Sequence, residues 1–261
     1  MKTFVINLPQ SSDRLNSLRK HLSEHPYIDL EVIEAVDGRI LSTEETDRLF
    51  DREKFHRHYH RAPRPGEIGC TLSHQKAYRK ITQSDVNTLI IEDDIQILRN
   101  IGKELEETDR WLSSSDRPRI LLLGTACLYR RSRKHKESLK FEQRLVSPVC
   151  YAHGTYAYAL NPEAARILLN PQPYFTADAF MLFRKYLDIE IKAVIPPAIT
   201  PTIESLLHDS IVAPHNEPVK KLQLATRAYY RMRDIYYRMM TASGIIKKLE
   251  YVDYRGSSSS H

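Results

Sequence analysis

Thr88-Leu89-Ile90-Ile91-Glu92-Asp93-Asp94 passes from wholly apolar to wholly acidic between residues 91 and 92. The apolar part is β-branched, short and bounded by polar residues, which predicts a buried strand over Thr88–Ile91. In open α/β sheets ligands sit beyond the carboxyl ends of the strands, and the three acids fall there. Adjacent carboxylates repel, and burying them without compensation is costly. A divalent cation removes that cost; carboxylate oxygens favour magnesium or manganese, which also bridge substrate phosphates. A solvated acidic loop, or a cap for the next helix, fits the same residues.

Outward from this stretch, further strands and helices alternate. Lys2–Leu8, Leu30–Val36, Ile120–Leu123, Tyr156–Leu160 and Ile189–Ile195 have strand character. Helices are expected from Ser11-Ser12, from Ser42, over Gly66–Ile81, over Ile101–Leu112, from Asn161-Pro162 with Asn161 as cap, and over Ala177–Leu187. Asp51–Pro65, rich in His, Arg and Pro, reads as a mobile loop and a lid over a ligand, and Arg130–Lys140 as an exposed loop. This alternation predicts an α/β sandwich with a mostly parallel sheet.

Several other residues are candidates for chemistry. Gly66-Glu67-Ile68-Gly69-Cys70-Thr71-Leu72-Ser73-His74 sets two glycines at a helix entrance, where free N–H groups attract phosphate or sugar hydroxyls. Close packing would equally explain the glycines, and His74 would serve as a satisfied core histidine. Arg14, one turn into the first helix, is placed to reach a diphosphate or to make a surface ion pair. His56, His58 and His60 alternate, but no carboxylate or cysteine accompanies them at zinc-site spacing. Gly-x-Ser-x-Gly, the Walker loop and Gly-x-Gly-x-x-Gly are all missing from the sequence, so hydrolase and nucleotide-triphosphatase readings lack their signatures.

The chain has 261 residues, 41% of them hydrophobic, enough for one α/β domain with a small appendage. Its net charge of +6 is concentrated. Lys220 to Lys248 holds eight basic residues against Asp234, a local +7, so the remainder is near neutral. Within this stretch Leu222, Ala225, Tyr229, Met232, Tyr236 and Met239 form one apolar stripe, the pattern of a basic amphipathic helix. Such a helix either lies on an anionic membrane surface or packs its stripe on the core. The short apolar N-terminal run, the lack of any span near 18 apolar residues and three cysteines without a CxxC pair point to a cytoplasmic protein, peripheral on the membrane if the helix binds lipid. The expected organisation is 1–212 as the catalytic domain, 213–255 as a basic helical extension and 256–261 as a disordered tail.

Taken together, the chain resembles glycosyltransferase family 25, the lipooligosaccharide-biosynthesis galactosyltransferases. Four blocks carry the resemblance in order, between residue 2 and about 212. The first is Phe4-Val5-Ile6-Asn7-Leu8-Pro9 with Asp13-Arg14 and Glu34-Ala35-Val36-Asp37-Gly38; the second is Gly66 to His74. The third is Leu89 to Asp94, and the fourth is Gly154-Thr155-Tyr156-Ala157-Tyr158 with Asp178 downstream. The resemblance implies a GT-A-like fold, a UDP-sugar donor (most often UDP-galactose), inversion at the anomeric carbon and an oligosaccharide or glycolipid acceptor. It implies that Asn7, Arg14, Asp37, Ser73, His74, Glu92, Asp93, Gly154 and Thr155 bind the donor. Asp94, with Asp93 and Glu92, is expected to hold manganese or magnesium. Asp178 is the first candidate for general base, with Glu204 and Glu67 in reserve. A metal-dependent phosphotransfer enzyme or nuclease, and a nucleic-acid binder using the basic helix, are the rival classes; no nucleic-acid partner is expected.

Overall fold

The computed structural model describes residues 1–124, 126–130, 140–202, 205 and 224–249. Most of the expected loop 130–140, the base candidate Glu204, residues 213–223 of the extension and the tail 256–261 lie outside the described residues.

The chain runs β1 (Lys2–Asn7), α1 (Ser12–Leu22), β2 (Asp29–Glu34), α2 (Thr43–Leu49), α3 (Arg52–Tyr59), α4 (Pro65–Ser84), β3 (Thr88–Glu92), β4 (Ile95–Ile97) and α5 (Gly102–Ser113). It continues with β5 (Arg119–Leu122), β6 (Ala126–Arg130), α6 (Phe141–Arg144), β7 (Leu145–Val146), β8 (Pro148–His153), β9 (Ala157–Leu160) and α7 (Pro162–Leu168). Then come α8 (Phe180–Tyr186), β10 (Glu190–Val194), β11 (Ile199–Pro201), α9 (Leu224–Ala242) and β12 (Ile246–Leu249).

The central sheet has the strand order β2-β1-β3-β9-β5-β10-β7. β1 pairs in parallel with β2 and β3, and β5 with β10, while β9 runs against both β3 and β5 and β7 against β10. Five strands therefore share one direction, and the sheet is mostly parallel. Its central strands β1 and β3 are apolar on both faces because helices cover both. Phe4, Ile6 and Ile90 pack with α4, α7 and α8 in one cluster, and Val5, Leu89 and Ile91 with α1 and α5 in another. Burying each such side chain stabilises the fold by about 1.5–3 kcal/mol. The register pairs Ile6 with Glu92 and Asn7 with Glu34, so β1, β2 and β3 end together at one carboxyl edge.

Some expectations are corrected. Residues 51–65 do not form a loop: Arg52–Tyr59 is helical, started by Asp51, whose carboxylate accepts from Lys54 N at 2.8 Å, and anchored by the fully buried Phe55. Phe55 packs with Phe50, Ile68 and Leu72, so the segment is a wall of the fold and the lid reading fails. Residues two apart on a helix point about 200° apart, so His56 and His58 do not share a side, and His58 sits edge-on to Phe175 and Tyr186. The helix expected from Ala177 begins at Phe180, because Thr176–Asp178 forms a turn instead. The basic helix ends at Ala242, and β12 pairs with β6 in a three-stranded sheet with β8, which ties the C-terminal stretch to the middle of the chain.

Candidate functional site

At the carboxyl edge of β1, β2 and β3 opens a cleft of ≈ 610 Å³. Two glycines shape one wall. A Cβ on Gly69 would lie 2.5 Å from Val36 O and 2.6 Å from Gly38 N, and a Cβ on Gly38 would overlap Pro65 O. The turn after β2 and the start of α4 thus meet backbone to backbone. Ser73 fastens the same contact: its hydroxyl accepts from Val36 N at 2.8 Å and donates to Gly69 O at 2.7 Å. Ser73 lines the cleft, but both of its hydrogen bonds serve the scaffold.

The acids following β3 form the floor. Asn7 Nδ2 donates to Asp93 Oδ2 at 2.6 Å, Ser205 Oγ donates to Asp94 Oδ2 at 2.7 Å, and the Thr155 hydroxyl donates to Glu92 Oε1. Arg14 Nη1 stands 3.6 Å from Asp93 Oδ1 and 3.8 Å from Asp94 Oδ2. One half-exposed guanidinium does not neutralise three largely buried carboxyls. Burial, with Asp94 and Asp93 beside it, pushes Glu92 up to about 8, and burial raises Asp93 against the pull of its Asn7 hydrogen bond. Asp94 Oδ1 is buried and has no hydrogen-bond partner among the described residues. An orphaned carboxylate oxygen among acids that resist ionisation is the arrangement a hard divalent cation would complete, and the all-oxygen donor set fits magnesium or manganese.

Asp178, on the turn before α8, lines the same cleft. Its Oδ2 accepts from Gly154 N at 3.2 Å and lies 3.9 Å from His153 Nδ1. Gly154 has φ +88°, a left-handed conformation that glycine adopts without strain and that aims its N–H at Asp178. Asp178 is partly open to the cleft, as a base meeting an incoming hydroxyl must be.

His74 is held from behind. Its Nδ1 is 2.6 Å from Tyr158 Oη, which is 2.9 Å from Tyr78 Oη. Among the described residues Tyr78 Oη has no other hydrogen-bond partner, so its proton is satisfied only if the chain donates from Tyr78 to Tyr158 to Nδ1. That direction leaves the hydrogen on Nε2, which is itself buried without a partner among the described residues. Burial holds His74 down to about 3, so the ring stays neutral. A ring nitrogen of His74, Cys70 Sγ and a Glu92 oxygen lie within 4.8 Å of one another. A hydrogen on Nε2 makes that group a donor cluster rather than a softer metal site.

The structure therefore brings Arg14, Asp37, Glu67, Ser73, His74, Glu92, Asp93, Asp94, Gly154, Thr155 and Asp178 to one cleft, with Asn7 behind Asp93. Two of them are engaged elsewhere. Glu67 is gripped by Arg61 at 2.7 and 2.5 Å and accepts from Arg64 N at 2.8 Å, so both of its oxygens are already engaged. Asp37 pairs with Arg39 and Gln10, and the Arg39 contact draws its carboxyl down to about 2. Sequence reasoning missed Tyr158, Tyr78 and Ser205, which act through His74 and Asp94. Each contacts its partner across 80 residues or more in the sequence (Tyr78, four residues from His74, reaches it through Tyr158), and no local pattern marks them.

Residues 1–181 match the family model described as glycosyltransferase family 25 (LPS biosynthesis protein). Procollagen galactosyltransferase 2 of Mus musculus is 29% identical over 182 residues, covering 66% of this chain and 28% of that protein. A glycosyltransferase 25 family member of Aedes aegypti is 27% identical over 181 residues, covering 65% of this chain and 28% of that protein. A relative from Bos taurus, 29% identical over 179 residues and covering 66% of this chain and 29% of that protein, carries "inactive" in its name. The chain thus spans under a third of the length of these relatives. Among solved structures, a glycosyltransferase involved in glycosylation of the major capsid of PBCV-1 is 11% identical with a TM-score of 0.39, covering 77% of this chain and 92% of that one.

Proposed function

Since the chain belongs to glycosyltransferase family 25, we propose that it transfers a hexose, galactose from UDP-galactose, with inversion to a hydroxyl of an oligosaccharide or glycolipid acceptor of the lipooligosaccharide kind. The observation that carries this reading is one cleft lined both by the acids after β3 and by the partly open Asp178. Glu92, Asp93 and Asp94 are the residues that would hold manganese or magnesium, whose bound charge would offset the negative charge growing on the leaving diphosphate.

In this reading the chain's own groups divide the work. Arg14, in the first turn of α1, donates to a diphosphate oxygen and exchanges part of its pairing with Asp93 for that contact. His74, neutral and held by Tyr158, offers Nε2–H to a donor-sugar hydroxyl or to the Glu92 carboxyl. The Asp178 carboxylate accepts the proton from the attacking acceptor hydroxyl, and Gly154 N–H keeps that carboxylate oriented. Inversion needs attack from the face opposite the leaving group, so this reading requires the acceptor hydroxyl to enter on the Asp178 side of the donor sugar.

Thermal-shift measurement with UDP, GDP and CMP, each with manganese or with EDTA, tests the reading. Stabilisation by UDP that disappears with EDTA is the expected result, and UDP-galactose should release UDP on incubation with acceptor glycans. Stabilisation by none of the nucleotides, with or without metal, would sink it.

A further inference from the structure

We propose that the outward face of α9 docks on an anionic phospholipid bilayer, holding the mouth of the cleft close to the lipid surface. The second half of this statement rests on the glycosyl-transfer reading, because it matters only if the acceptor is anchored in that surface.

The observation is a reversal of the usual amphipathic arrangement. A helix at the surface of a soluble fold turns its apolar stripe inward. The side of α9 that packs on the fold is instead polar and aromatic. Tyr237 Oη donates to Val149 O at 3.3 Å, Tyr151 Oη donates to Asp234 Oδ1 at 2.8 Å, and the Arg233 guanidinium lies 5.7 Å from the Tyr151 ring centre. On the other side, Met232, Ile235, Tyr236 and Met239 are 70%, 57%, 50% and 67% exposed. At 100° per residue these four fall within an arc of about 100°. Ile245, just beyond the helix, is also exposed. Scattered surface hydrophobics need no explanation, but a contiguous apolar row marks an interaction site.

Charge selects the occupant. Arg231 and Arg238 line one edge of the row and are exposed, and the surrounding sequence from Lys220 to Lys248 carries a net +7. Thioether, isoleucine and tyrosine side chains edged by arginines match the headgroup–acyl boundary of a bilayer with acidic lipid, where each basic residue tightens binding roughly fivefold. A second copy of the chain would bring the same arginines against one another. A nucleic acid would leave the methionines and isoleucine with nothing apolar to cover them.

Tyr151 links this face to the site, since it lines the cleft and contacts α9 through Asp234 and Arg233. A helix laid on the membrane thus carries the rim of the cleft with it.

The test is co-sedimentation of the full chain with vesicles of phosphatidylcholine alone or with added phosphatidylglycerol. Binding is expected to the mixed vesicles and not to the neutral ones, and to weaken on the order of tenfold in a Met232→Ser/Met239→Ser variant and in an Arg231→Gln/Arg238→Gln variant. These positions are exposed, so the manganese-dependent shift by UDP should be unchanged in both. A lost UDP shift with vesicle binding intact would count against the glycosyl-transfer reading and not against docking. Three results would overturn docking: no preference for acidic vesicles, unaltered binding by both variants, or a dimer in sedimentation velocity that Met232→Ser/Met239→Ser dissociates. Retention on RNA in place of vesicles at the same salt would overturn it as well.

Discussion

The carboxyl edge of β3 and the outward face of α9 depart from ordinary burial in opposite senses. At β3, Glu92, Asp93 and Asp94 are withdrawn from water, and among the described residues they have a single nearby guanidinium and one of their oxygens has no partner. On α9, methionine, isoleucine and tyrosine side chains stand in water with little to cover them. Each arrangement costs free energy in the isolated chain. The difference lies in the support. The acids are braced by Asn7, Thr155 and Ser205 from three other parts of the chain, so their geometry is set before any ligand arrives. The apolar row rests on one helix, and its fit depends on a soft, laterally uniform partner. A rigid pocket suits a small charged ligand, and a plain stripe suits a lipid surface.

If both departures serve binding, restoring ordinary chemistry should remove function without loss of stability. The largest effect is expected at Asp178 in the same cleft: Asp178→Asn should lower kcat about 10²–10⁴-fold with the donor KM nearly unchanged, read from steady-state kinetics. Near-normal turnover would exclude Asp178 as the base. Next, Asp94→Ala should weaken manganese-dependent UDP binding by about 10–100-fold in calorimetry. Affinity that survives, or that never depended on metal, would separate the acids from the diphosphate.

A smaller effect concerns stability. Glu92 holds its proton up to about pH 8 in the fold, well above its ordinary 4.5. Between those values the unfolded chain has lost a proton that the native one keeps, so this group makes the metal-free protein less stable as pH rises. Glu92→Gln should therefore raise Tm by on the order of 5 °C at pH 8 and by almost nothing near pH 4. A gain that is flat with pH would show that the carboxyl is not the source. The smallest effect belongs to α9: Met239→Gln should leave stability within about 0.5 kcal/mol by urea denaturation. A loss of several times that amount would mean that the stripe is packed against protein.

How far the sequence discloses this molecule follows the range of the interactions involved. β1, β3 and α4 are legible because their apolar patterns are strong and local, and the acid triplet because it adjoins one of them. The helix at Arg52–Tyr59 is not, since a single buried residue, Phe55, turns a polar segment into structure. β4 and β11, and β6, β8 and β12, are short strands that pair with partners far along the chain, so alternation has no length over which to show. In the site, Arg14 and Asp178 could be singled out by residue type and position. The commitment of Glu67 to Arg61, of Ser73 to Val36 and Gly69, and of His74 to Tyr158 depends on contacts that residue type does not encode.

The glycine contact between residues 38 and 69 has one more consequence. Because two main chains touch there with no side chain between them, the strip bearing Asp37 and the helix bearing His74 cannot slide past each other, and any methyl added at that seam would act as a wedge prising both apart. Any opening and shutting of the cleft would then fall to the stretch from Tyr151 to Gly154, where the chain already bends through Gly154.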